Sequence, residues 1–131
     1  MLKIVSILAL FLLLPHSALA QSERVADGKF IIISSALVGS TIFDLKSTFY
    51  FLDNCPINLR CRETNTLISP LVNRGRLVTY SVLMAVDAGA IAYSYHLKRD
   101  NNRIWWLVPL AMTAMHSYGG VHNYRIALSW R

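Results

Sequence analysis

Charge is scarce in this chain. Asp, Glu, Lys and Arg make up 15% of its 131 residues, and only seven are acidic, whereas a soluble domain carries about 25% charged residues. The deficit argues against an ordinary water-facing surface. Cysteine is scarcer still. Cys55 and Cys61 are the only two, and no histidine lies beside them to make a metal-binding spacing. No Gly-rich phosphate loop, H-E-x-x-H pair or nucleophile motif occurs. What remains after a leader is too short for a nucleotide-binding fold. Catalysis therefore has no motif to rest on.

What the chain does have is apolar length: 54% of residues are hydrophobic and the mean hydropathy is +0.41. Residues 1–20, "MLKIVSILALFLLLPHSALA", pair Lys3 with 11 apolar residues from Ile4 to Leu14, a breaking Pro15 and a small-residue end at Ala18-Leu19-Ala20. That is the pattern of a bacterial-type signal peptide cleaved before Gln21. At about 1.5 Å per residue the stretch covers roughly 16 Å of a hydrocarbon core about 30 Å thick. If it were kept as an anchor, it would add a fourth helix.

Three apolar segments follow, at about 30–52, 77–97 and 104–124, each near the roughly 20 residues a spanning helix needs. The pattern predicts an all-α fold, a three-helix transmembrane bundle forming a single membrane domain over 21–131. Residues 53–76 form the long loop, and "TLISPLV" inside it is expected on the membrane surface. "KRDNNR", 98–103, is a tight turn followed by Trp105 and Trp106, which suit an aromatic belt.

The net charge of +6 does not indicate nucleic acid, because the basic residues flank apolar segments without forming a stripe. A cleaved leader places the mature N-terminus outside the bacterial inner (cytoplasmic) membrane and the long loop inside. Positive charges agree weakly, seven inside against five outside. On the inside, Cys55 and Cys61 would be free thiols; on the outside they could form a disulfide.

The polar residues within the segments carry the functional reading. Asp44, Asp87 and His116 stand on three different helices at nearly one depth. Thr41, Asp44 and Thr48 share a helical face, as do Arg76, Tyr80, Met84, Asp87 and Ser94, and likewise Pro109, Thr113, His116, Gly120 and Asn123. An ionised group at the bilayer centre costs at least about 2.5–3.5 kcal/mol on insertion scales. The three stripes should therefore turn inward, making a polar seam of Asp44, Thr48, Asp87 and His116. Small-x3-small pairs, Ser35/Gly39, Ala36/Ser40, Ala85/Gly89 and Ala88/Ala92, together with Gly119-Gly120, would let the helices approach. A second polar set, Glu63, Asn65, Arg76, His122 and Asn123, is expected at the loop-side interface, with Arg76 pairing to Glu63 or to a deeper acid. Lys46 should snorkel to that same interface.

The order Asp44-x3-Thr48, Glu63-x-Asn65 and Gly75-Arg76 opening a helix resembles a family of small bacterial integral membrane proteins of unknown function. Members carry an intramembrane Asp-x3-Thr and a loop Glu-x-Asn-Pro. Here "ETNT" puts Thr66 in place of that proline, and Pro70 follows four residues later. The likeness spans the first half of the mature chain and implies architecture without an activity.

Two functions of different class fit these residues. One is a non-catalytic membrane subunit or assembly protein whose partners are membrane lipids and a second copy or another membrane protein. The other is a small membrane enzyme or carrier using Asp44, Asp87 and His116 for a proton, an ion or a lipid-like substrate. A His-carboxylate metal set is chemically conceivable, but no ligand spacing supports it. His96 and His122 do not face His116 as a haem pair would require. No cofactor or metal is assigned.

Overall fold

The computed structural model describes residues 25–63, 65 and 68–130. The leader at 1–20 and its cleavage lie outside the described residues. Among the described residues the fold has four helices: α1 (Gly28–Asp53), α2 (Ser69–Val72), α3 (Arg76–Arg99) and α4 (Leu107–Leu128). No strand occurs among the described residues.

Each boundary has a local cause. Asp27 caps α1, its side chain accepting from the Phe30 N–H at 2.9 Å. Asn54 and the Cys55-Pro56 pair end that helix. Gly75 precedes α3 with φ +101°, a backbone region that favours glycine over residues with a Cβ. The third long helix starts three residues later than the apolar pattern suggested and runs four further. Pro109 explains the start: with Leu107 as first residue it falls in the first turn, where a missing N–H costs nothing. A helix begun at Ile104 would bury it in the interior and drive its ring toward the Trp105 carbonyl. Within the "TLISPLV" stretch only one turn forms, Ser69–Val72, with Pro70 in its first turn. It folds onto α3 and buries Val72.

α1 lies most extensively on α4 and less on α3, while α3 and α4 touch least. Helix lengths of 26, 24 and 22 residues correspond to roughly 39, 36 and 33 Å. Of the three, α1 and α3 are apolar enough as well as long enough to cross a membrane. His116, His122, Asn123 and Arg125 make α4 more polar.

The distribution of side chains is inverted relative to a soluble protein. The buried residues of α3 are Thr79, Asp87 and Ser94, all polar. Its outer face carries Leu77 at 82% exposure, with Val82, Val86 and Tyr93 also exposed. α1 likewise buries Ser40, Thr41, Ser47 and Thr48 beside Leu37 and Leu45, and exposes Ile31 and Ile32. Water penalises such an arrangement, because apolar area stays wet and polar groups are dehydrated. A hydrocarbon solvent reverses both signs.

Candidate functional site: a polar seam between the helices

Asp44 and His116, separated by 72 positions in sequence, meet where α1 crosses α4. His116 Nδ1 and Asp44 Oδ2 share a hydrogen bond of 2.8 Å. Both side chains are nearly enclosed, at 14% and 13% exposure. Gly119 makes this contact feasible. A Cβ there would stand 2.8 Å from Asp44 Oδ1, and one on Gly120 would collide with the Phe43 ring and crowd the Asp44 Cα at 3.3 Å. Two adjacent glycines thus open a shallow saddle on α4 into which α1 settles.

About one turn on, Asn123 extends the same seam. Its Nδ2 donates to Thr48 Oγ1 at 2.9 Å and lies 3.4 Å from Ser47 Oγ. Ser47 Oγ in turn donates to the Asp44 carbonyl at 2.7 Å. Sequence reasoning missed Ser47; its place three residues after Asp44, on the same helical face, was the available signal.

Asp87 is placed differently. It is 1% exposed, and among the described residues neither carboxyl oxygen has a hydrogen-bond partner, nor do the buried Thr41 and Ser94 hydroxyls. Thr41 is the neighbouring polar side chain and His116 lies within electrostatic reach, yet no bond of normal geometry closes.

The loop-side set does not assemble into one cluster. Glu63 turns back on its own loop, accepting from the Asn65 N–H at 2.8 Å. Arg76 pairs with Asp53 and lies over the Phe49 ring at 5.1 Å from its centroid, so the expected pairing with Glu63 or a deeper acid is replaced. Asp53 at the end of α1 is simply nearer the start of α3. His122 stacks on Tyr118, one helical turn away on α4. Only Asn123 joins the seam. Cys55 and Cys61 are bridged by a disulfide, the outcome expected for a loop outside the membrane and not for one inside.

At the opposite end, Lys98 reaches Asp27 and packs on the rings of Trp105 and Phe30, at 4.6 and 5.6 Å. The bonded ammonium, and then the Phe30 N–H, hold the Asp27 carboxyl below its usual value. With 71 positions between the partners, no local sequence pattern announces this pair.

These features define a class: an all-helical protein, polar inside and apolar outside, with two membrane-capable helices and an interhelical polar seam. Among the described residues no three His, Cys, Asp or Glu side chains converge as a metal site would require. No family model matches the chain, and neither a curated protein nor a solved structure matches it.

Proposed function

We propose that this chain is a non-catalytic subunit or assembly protein of the bacterial inner membrane, with α4 as a third spanning helix. The family resemblance in the Asp44-x3-Thr48 and Glu63-x-Asn65 pattern is part of the same reading. The observation that carries it is the Asp44–His116 bond. Two of the three ionisable groups of the seam, Asp44 and His116, are engaged with each other across α1 and α4 as a fastener and are not presented to a substrate. Meanwhile the flank of α1 bearing Ser35 and Gly39 is open, with nothing within 4 Å of a Cβ at Gly39. Close-packing membrane helices favour such small residues, so the flank suits a second copy or another membrane protein.

Two cues give opposite orientations. The leader places the mature N-terminus outside and the long loop inside, whereas a Cys55–Cys61 bridge belongs to an oxidising compartment. We give the covalent bond more weight than the leader pattern and a charge difference of two, so we assign the loop to the outer side and the start of α1 to the inner side, the reverse of the leader's orientation.

In-membrane photo-crosslinking from position 39 tests the subunit reading. A discrete crosslinked dimer or heteromer is expected; a chain that stays monomeric in cells and in mild detergent overturns it. The unpartnered Asp87 favours the second reading, a carrier or enzyme for a proton, an ion or a lipid-like substrate. Asp87→Asn separates the two: assembly persists under the first, and an associated transport or turnover disappears from a normally folded protein under the second.

A further inference from the structure

The turn joining α3 to α4 carries a cleft of about 490 Å³, lined by Lys98, Arg99, Asn101, Asn102, Arg103 and Trp105, with Val25 closing one side. We infer that this cleft is a binding site for the phosphate headgroup of an anionic membrane lipid. The inference rests on the membrane placement of the bundle and is independent of any protein partner.

Four observations converge on that ligand. First, every polar side chain lining the cleft offers donors, and no carboxylate lines it. Lys98 is balanced by Asp27, and Arg99 leans on Asp100 through an exposed contact of 3.5 Å, worth little in water. Arg103 has no partner among the described residues. Among the described residues the Arg103 guanidinium of the lining therefore meets no carboxylate, and its planar fork suits two oxygens of a phosphate.

Second, the amide donors are fixed in place. Asn102 Oδ1 accepts from the Ile104 N–H at 3.0 Å, which leaves both Nδ2 hydrogens free of that bond. Asn101 holds φ +56°, a conformation asparagine tolerates better than most residues. The turn is thereby shaped without occupying its donors.

Third, the depth is right. Trp105 lines the cleft and Trp106 beside it is partly exposed; tryptophans concentrate where headgroups meet hydrocarbon. A phosphate at that level reaches Arg103 while its acyl chains lie along the apolar outer faces of α3 and α4. Fourth, Lys98 is held between two rings and Asp27, so one wall of the cleft is rigid and little ordering remains for the ligand to impose.

The test uses the full chain in a neutral detergent, with native mass spectrometry after addition of phosphatidylglycerol, phosphatidylcholine or inorganic phosphate. Retention of phosphatidylglycerol over phosphatidylcholine is expected. Arg103→Gln should weaken it about tenfold, the size of one lost charge-assisted contact, and Arg103→Lys should recover part of that loss. Arg74→Gln, in the distant loop, should change nothing. Equal retention of both lipids, or an unchanged Arg103→Gln, overturns the site. Inorganic phosphate that displaces the lipid at equal concentration would assign the cleft to a free phosphate and overturn the lipid assignment. A circular dichroism spectrum unchanged from wild type confirms that the Arg103 variants fold; should Arg103→Gln not fold, Asn102→Leu carries the same comparison.

Discussion

α1 meets its two neighbours in unlike ways. Against α4 it settles onto a glycine pair, bonds Asp44 to His116, and closes a second bond from Asn123 to Thr48. Against α3 it brings Thr41 beside Asp87, but no hydrogen bond of normal geometry forms and both remain buried without a partner. The two contacts use the same residue types at similar depth. What differs is the closeness of approach: two residues without a Cβ on α4 let a short carboxylate reach an imidazole, and α3 has no equivalent at Asp87. Polar stripes of similar composition can thus be a fastener in one place and an open valence in another.

The strongest way to break this comparison is to remove one partner on each side. His116→Leu strips the bond from an enclosed carboxylate, and losing one member of a buried pair costs about 3–5 kcal/mol. Asp87→Asn keeps the shape and deletes only the charge, so it should be neutral or mildly stabilising. SDS or thermal titration of the two variants measures the difference directly. A larger loss from Asp87→Asn would mean that Asp87 has a structural partner and that the distinction between the contacts is false.

A smaller effect is expected from the glycines. Gly120→Ala forces a methyl into the Phe43 ring and should cost about 1–3 kcal/mol by overpacking. Gly89→Ala meets nothing and should gain about 0.4–1 kcal/mol from reduced chain entropy. Opposite signs in one unfolding assay would sharpen the contrast; like signs would dissolve it.

The least effect belongs to the Asp27–Lys98 pair at the end of the bundle. Because the folded carboxyl titrates below its unfolded counterpart, its contribution is present above the unfolded value of about 3.9 and fades as pH falls through the folded one. Wild type should therefore lose slightly more stability than Asp27→Asn on acidification below about pH 4, with the two curves parallel above it. Parallel curves throughout would show that the pair is not linked to folding.

Much of this architecture was legible from residue order because it depends on local rules. Apolar length marks helices, Gly75 permits a turn, and the inward direction of Asp44, Asp87 and His116 follows from the cost of charge in lipid, whereas the later start that Pro109 imposes on α4 was overlooked. The loop-side cluster was misjudged for an equally physical reason. Glu63, Arg76 and His122 each found a nearer partner, in the loop, in Asp53 and in Tyr118, and proximity along the chain says nothing about which of several neighbours wins. Small-residue spacing was similarly blind: it flagged Gly39, Gly89 and Gly119-Gly120 alike, yet only the last pair lies in a helix contact.

By itself the amino-acid order determined that this protein is helical, membrane-suited and polar on its inner faces, since hydrogen-bond period and solvent preference act residue by residue. Tertiary structure alone decided that Asp44 takes His116, that Asp87 sits beside Thr41 without a hydrogen bond of normal geometry, and that Lys98 meets Asp27. Each of these depends on how near two backbones come and at what rotation. That distance is set jointly by every side chain along a contact and is written at no single position.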